Sequence, residues 1–271
     1  MAPTPFLKLS AASLFYRKAA FGSIFTMKTR LDVYCVGQGL FESREKALRA
    51  IMAGLVTVNG KPADKAGQPV RDGDVVELVK SDCPYVSRGG LKLKGALDNF
   101  KISVKGRTCL DVGAATGGFT DCFLQEGALK VYAVDVGEGQ IHERIRNDPR
   151  VAFIPQTNAR SLEPGIFREK PDLCAIDVSF ISLKLVLGPV LGVMAAGGEL
   201  VALIKPQFEL APGDLKRGIV KSEELRQKAV ENMRAFLKDA LPALEEKGLV
   251  DSPIKGAKGN LEFLWHLKKT K

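Results

Sequence analysis

At 271 residues, with 45% hydrophobic and 26% charged side chains, the chain is long enough for a substantial core and too apolar for wholesale disorder. Lys and Arg number 40 against 31 Asp and Glu, a formal net charge of +9 that suits a polyanionic partner such as nucleic acid or an anionic membrane surface. Five cysteines with no C-x-x-C pair, and only two histidines, argue for reduced, packed thiols in an intracellular protein and against a disulfide framework, a zinc site or a histidine-centred triad.

Residues 1–26, "MAPTPFLKLSAASLFYRKAAFGSIFT", contain no Asp or Glu and precede Met27, where strong patterning begins. They read as an upstream translation-start artefact or, alternatively, as a transit-like targeting peptide, and stand outside the fold in either case. A first domain runs over 27–80. Ser43 is a helix N-cap, with Ala47, Leu48, Ile51 and Leu55 at helical spacing behind it. Asn59-Gly60 predicts a two-residue hairpin turn and "VRDGDVVEL" another strand, giving a small α+β module of about fifty residues. Arg30, Arg44, Lys46 and Arg49 cluster around the helix start, where phosphate oxygens would also meet helix N-terminal amides, although a solvated basic face would look the same. The ordered string from Arg30 to Leu78 closely resembles the S-four-type (alpha-L motif) RNA-binding domain. That resemblance implies that these basic side chains bind structured RNA.

A linker, 81–87, leads to a second domain, 88–271. "TCLDVGAATGGFTDCF" reads as a strand from Thr108 to Val112, a glycine-rich turn through Gly113, Gly117 and Gly118, and a helix. Ala115 stands where a dinucleotide fingerprint has its second glycine, so a pyrophosphate is a poor guest. The next strand, "VYAVDV", ends on Asp135, a carboxylate placed to accept both hydroxyls of a ribose. Asp111 and Asp135 around this turn resemble the S-adenosylmethionine site of Rossmann-like methyltransferases. "VAFIP", "DLCAIDVSF", "ELVALIKPQF", "LVDSPI" and "LEFLWHL" are further strands, with a helix from Ser222 to Lys247 among them. "LVLGPVLGVMAAGG" is a buried helix, too short and too interrupted by Pro and Gly for a membrane span. Such alternation implies an α/β fold, a mainly parallel sheet with helices on both faces. Ligands then sit beyond the carboxyl ends of the strands, where Asp177 and Lys205 also fall.

The motifs "YVSRGGLKL", "DVGAATGGFTD", "NDPRV", "TNAR", "DVSFISL", "LIKPQFE" and "KGNLEFLWHL", in this order behind the S-four-type module, resemble the TlyA family, whose catalytic domain is similar to FtsJ-type RNA 2′-O-methyltransferases. The resemblance covers Met27 to Lys271. It implies S-adenosylmethionine as cofactor, held by Asp111, Gly113, Ala115, Gly117, Gly118, Asp135 and Asn158, and it adds Arg88 to the RNA-binding set. It also implies a catalytic tetrad of Lys92, Asp177, Lys205 and Glu262. A ribose hydroxyl is a weak nucleophile until its proton is shared or removed, and a lysine takes that part when burial and a neighbouring ammonium favour its neutral form. Lys205 is accordingly the candidate base, Asp177 its electrostatic partner, and Lys92 and Glu262 orient the hydroxyl. The substrate implied is cytidine ribose in ribosomal RNA of the large (23S) subunit, with 16S RNA second, since the short ends flanking the motifs resemble the family's shorter subtype. The partners implied are ribosomal subunits and no membrane, in the cytoplasm, with the oligomeric state open. Two rivals stand beside this: a non-catalytic RNA-binding assembly factor, and a membrane-active protein, because members of the family are also labelled haemolysins.

Overall fold

The computed structural model describes residues 29–270 apart from 53, 64, 79–82, 139–140, 216–217 and 257–258, and for Arg49 and Pro212 the backbone alone. Residues 1–26 therefore lie outside the described residues. The chain divides between residues 82 and 83 into two compact units.

The first unit comprises β1 (Thr29–Arg30), α1 (Leu31–Gly37), α2 (Arg44–Met52), β2 (Val56–Val58), β3 (Lys61–Pro62), β4 (Pro69–Val70) and β5 (Val76–Leu78). Ser43 caps α2 by accepting the Lys46 N–H at 3.2 Å. Leu31, Cys35, Ala47, Ile51 and Val56 are fully buried and form the core. Leu48, read as part of the apolar face, is 44% exposed. One step of about 100° from Ala47 takes it round the flank, and Ala50 fills the inward place instead. Asn59 and Gly60 have φ values of +52 and +73, the pair of left-handed residues that a two-residue hairpin turn demands, and they join β2 to β3 in antiparallel register. "VRDGDVVEL" is not one strand. Gly73, φ +90, and Asp74, which accepts the Arg71 N–H, make a tight turn that separates β4 from β5.

The second unit holds α3 (Gly89–Phe100), β6 (Thr108–Val112), α4 (Gly118–Gln125), β7 (Lys130–Val134), α5 (Glu143–Arg146), β8 (Val151–Ile154), β9 (Leu173–Ile176), α6 (Leu187–Val193), β10 (Glu199–Ile204), α7 (Pro206–Glu209), α8 (Glu223–Ala240), β11 (Leu244–Asp251) and β12 (Phe263–Lys269). Its 7-stranded sheet has the order β11-β12-β10-β9-β6-β7-β8. β8, β7, β6, β9 and β10 run parallel; β12 is antiparallel to both β10 and β11. Alternation along the strands feeds two cores, as the period of a strand requires. Leu110, Val112, Tyr132 and Val134 pack on one face with α6 and α8, while Cys109, Val131 and Ala133 pack on the other with α3 and α4. The expected mainly parallel α/β sheet is thus present. Tyr85 is buried in this second core, so the part of the expected linker over 83–87 belongs to the unit.

Several element boundaries differ from the sequence reading: the strand read through "ELVALIKPQF" ends at Ile204 and gives way to α7, and that read over "LVDSPI" lies earlier, at Leu244–Asp251. The long helix ends at Ala240, not Lys247, because Pro242 keeps Leu241 out of helical conformation (φ −133°, ψ 57°), and Leu244 to Lys247 open β11 instead. The apolar run around Pro189 yields a helix only over Leu187–Val193, after which Met194 turns extended.

In the first unit the Arg30 guanidinium, joined by Arg44, holds the buried Asp32 carboxyl down at about 2. A carboxyl depressed on folding stabilises the fold above its unfolded value, near 4, and that contribution disappears as pH falls through the folded value. The protection of α1 and α2 amides against exchange in the full-length chain, relative to the unfolded rate at the same pH, should therefore fall between about pH 4 and pH 2. Asp32→Asn should flatten that acid limb; an identical limb in the variant would assign the acid sensitivity elsewhere.

Candidate active site

β6, β7, β9 and β10 bring their carboxyl ends to one edge of the second unit's sheet, and the chain reverses its direction of winding between β6 and β9. A crevice opens at such a switch point. Gly113, φ +88, stands so close to the end of β9 that a Cβ would lie 2.4 Å from the Asp177 carbonyl oxygen, and a Cβ on Gly118 would lie 2.2 Å from Ser87 Oγ. Gly117, φ +91, begins α4 against Ile141 and Ile145. The turn therefore hugs its neighbours and leaves a narrow cleft lined by Ser87, Asp111, Gly113, Ala115, Gly118 and Asp177.

Two carboxylates organise this cleft. Asp135, just past β7, accepts the Ala115 N–H at 2.8 Å and the Gly137 N–H at 2.7 Å, one on each oxygen, which keeps a lone pair free on both. The first bond also holds Ala115 at φ +46, a left-handed conformation unfavourable for a residue with a Cβ. Asp111 is fully buried. Its Oδ2 accepts the Thr120 N–H at 2.9 Å and the Thr120 hydroxyl at 2.6 Å, while Oδ1 has no partner among the described residues. Burial pushes this carboxyl up to about 7 against the pull of the Thr120 bonds. An orphaned acceptor in a cleft wall calls for a donor from a ligand. The set fits S-adenosylmethionine: an ammonium toward Asp111 and ribose hydroxyls toward Asp135. Asn158 does not line the cleft. Its Oδ1 accepts the Arg160 N–H as the cap of a short 3-10 turn, and the preceding Thr157 N–H, bonded to the Asp135 carbonyl, places it alongside that strand end.

The four tetrad positions do meet. Lys92 lies in the first turn of α3, Asp177 follows β9, Lys205 follows β10 and Glu262 precedes β12. Because β12 is antiparallel, its start pairs with the end of β10 (Ile204 with Phe263) and delivers Glu262 to the same edge. Lys92 Nζ donates to Glu262 Oε2 at 2.6 Å and stands 4.0 Å from Asp177 Oδ2; Lys205 Nζ lies 2.6 Å from Asp177 Oδ1. Glu262, Lys92 and Lys205 are 3%, 8% and 7% exposed. The charges alternate along the row, so the neighbour of Lys205 is the Asp177 carboxylate. The Lys92 ammonium expected beside Lys205 instead bonds Glu262 and approaches the opposite oxygen of Asp177.

Four contributions were not legible in the sequence. Lys205 Nζ also donates to Ser179 Oγ at 2.7 Å. Ser87 closes the glycine cleft. Gly90 lets Tyr85 pack, since a Cβ there would lie 2.3 Å from the ring, and Gly256 leaves room for Glu262, whose Oε1 a Cβ would meet at 1.8 Å. The only signal was a glycine standing where no turn is needed.

In the first unit the structure brings together Arg30 and Arg44, both on Asp32, with their side chains more than half exposed. Lys46 pairs separately with Glu42. The Arg49 side chain lies outside the described residues. Arg88, in the second unit, precedes α3 and is exposed. No helix among the described residues is long and apolar enough to cross a membrane, and no group of metal-ligating side chains is present among them.

Comparison with known proteins matches residues 85–269 to the FtsJ-like methyltransferase family and residues 29–76 to the S4 domain. A Bacillus subtilis protein named as a candidate rRNA methyltransferase, YqxC, is 46% identical over 89% of this chain and 85% of its own length. The 16S/23S rRNA (cytidine-2′-O)-methyltransferase TlyA of Mycobacterium tuberculosis is 42% identical over 88% of this chain and 89% of its own. A solved structure from Streptococcus thermophilus, described as a candidate hemolysin, superimposes with a TM-score of 0.71 at 46% identity, covering 91% of this chain and 90% of that one.

The raised carboxyl of Asp111 sets the sign of a pH effect. A cationic guest favours the ionised carboxylate, so calorimetric affinity for S-adenosylmethionine should be high above about pH 7 and fall below it as Asp111 takes up a proton. Asp111→Asn should bind weakly at both ends of that range. Asp135→Ala should lose about 1 to 3 kcal/mol of cofactor affinity through unpaired hydroxyls; unchanged binding would remove Asp135 from the site.

Proposed function

This chain belongs to the TlyA family, in which an S4 domain precedes an FtsJ-like methyltransferase domain, and from that premise we propose that it methylates the 2′-hydroxyl of a cytidine in ribosomal RNA. The observation that carries the reading is the convergence of Lys92, Asp177, Lys205 and Glu262 beside the glycine cleft, with Asp177 lining that cleft. S-adenosylmethionine supplies a methyl group already activated by its sulfonium. The protein's work is to aim the hydroxyl and take its proton.

Lys205 is placed for the proton. In its neutral form the amine has two N–H bonds and one lone pair; Asp177 Oδ1 and Ser179 Oγ take the two bonds, and the lone pair faces the incoming hydroxyl. Accepting the proton yields an ammonium already paired with Asp177, which stabilises the charge as it develops. Lys92 is held by Glu262 and touches the far side of the same carboxylate, so it orients Asp177 and offers N–H bonds to the ribose oxygen. Asp111, Asp135 and the Gly113–Gly118 turn hold the cofactor. Arg30 and Arg44, fixed by Asp32, present exposed guanidiniums suited to phosphate oxygens, and Arg88 adds another in the second unit.

Large-subunit RNA is the first substrate choice and small-subunit RNA the second, both being in the name of the M. tuberculosis relative; a cytoplasmic location accords with such a substrate. The test is incubation with methyl-labelled S-adenosylmethionine and separated ribosomal subunits, followed by mass mapping of the RNA, with and without residues 1–26. Label on a cytidine ribose supports the reading. RNA binding without transfer would instead make the chain an assembly factor. Lys205→Ala should lower kcat per folded molecule by about 10² to 10⁴ with RNA affinity retained, and should also lower the thermal midpoint because it strands Asp177; turnover per folded molecule close to that of the parent chain would remove Lys205 from the chemistry.

A further inference from the structure

Glu209 is a buried carboxylate that the tetrad does not use. It closes α7, one turn past Lys205, and its oxygens accept the Ser182 hydroxyl and, at 2.8 Å, the Leu183 N–H. Burial pushes its carboxyl above the ordinary value in spite of both bonds. These bonds reach across to the loop that leaves β9, residues 177–183, and grip its far end. The near end is tied at the other end of α7, where Nζ of its N-cap residue Lys205 bonds Asp177 and Ser179. Between the two ties stands Phe180, at φ +64 and 92% exposed, its ring 5.5 Å from that of Phe208 in α7. A bulky residue in left-handed conformation is costly and persists only where its surroundings over-determine it.

We propose that Glu209 is a positioning residue for methyl transfer: by clamping Ser182 and Leu183 it fixes the 177–183 loop so that Asp177 and Ser179 meet Lys205 at the observed distances. The inference rests on the methyltransferase reading above. With the clamp removed, the strained loop relaxes, Ser179 leaves Nζ, and the lone pair of Lys205 is no longer aimed. Rates respond steeply to displacements of about 1 Å at the reacting atoms. The glycine cleft takes only Asp177 from this loop, at the end that leaves β9 and away from the clamp, and its other walls come from Ser87, Gly89 and the β6 turn with the start of α4, so cofactor binding is spared.

The test measures methyl transfer to ribosomal subunits by the full-length chain and by Glu209→Ala, Glu209→Gln, Ser182→Ala and the Glu209→Ala, Ser182→Ala double variant. Glu209→Ala should lose roughly tenfold to a hundredfold in kcat, with KM for RNA and the dissociation constant for S-adenosylmethionine unchanged. Glu209→Gln keeps an acceptor for Leu183 and a donor for Ser182, and should recover much of that loss. Ser182→Ala should fall less, and should add little to Glu209→Ala because both open the same clamp. Parental kcat per folded molecule in Glu209→Ala, with only a lowered thermal midpoint, would overturn the proposal in favour of plain structural support. So would a loss confined to KM. Should Glu209→Ala not fold, Ser182→Ala decides alone, and parental kcat there overturns the clamp. Absence of transfer by the parent chain is a separate result, which overturns the methyltransferase reading itself.

Discussion

The row Glu262, Lys92, Asp177, Lys205 constrains everything else at the site. An ion taken out of water costs several kcal/mol unless an opposite charge and hydrogen bonds replace its hydration. With both lysines protonated, as before the base gives up its proton, each member's neighbour carries the opposite sign and the row is jointly neutral, so no member is removed without stranding the next. Breaking a buried pair typically costs about 3 to 5 kcal/mol. The same neutrality explains how two lysines remain nearly buried without repelling each other: a carboxylate sits between them.

Such a row needs partners that are remote in sequence. Lys92 and Glu262 are 170 residues apart, and only the topology of the sheet closes that distance. Parallel strands β9 and β10 end side by side, which makes neighbours of the residues that follow them. The antiparallel β12 enters the sheet from the same edge, which is the physical use of the one reversed strand beside β10. Glycine completes the convergence by absence of bulk. Gly113 admits the Asp177 carbonyl, Gly118 admits Ser87, and Gly256 admits Glu262; a methyl group at any of the three would push apart the groups that must meet.

Rigidity and strain are distributed accordingly. Left-handed Ala115 is held by Asp135 at the glycine turn, and left-handed Phe180 lies between two hydrogen-bonded ties on the loop that leaves β9. In both places a carboxylate accepts a backbone amide, Asp135 that of Ala115 and Glu209 that of Leu183. Structure stores conformational cost where geometry has to be reproducible, and here those points flank the glycine cleft and the tetrad.

The amino-acid sequence by itself determined the features that depend on near neighbours along the chain. Asn59-Gly60 specified its turn because two left-handed residues admit few alternatives; Ser43 specified a helix start; the apolar runs around Cys109, Val131, Cys174 and Val201 specified strands; and Asp135 followed from its spacing after a glycine turn. Resemblance of ordered motifs then named the tetrad residues without placing them. Where local signals compete, the reading failed. Leu48 matched helical spacing yet sits on the flank, and the polar run to Lys247 looked helical although Pro242 stops the helix and pairing with β12 draws Leu244 to Lys247 into a strand. Only the tertiary structure decided the order of charges along the row, the second acceptor for Lys205 at Ser179, and the reason for glycine at 90 and 256. Those facts concern distances between segments, and periodicity, capping and turn chemistry carry information only over a few residues of chain.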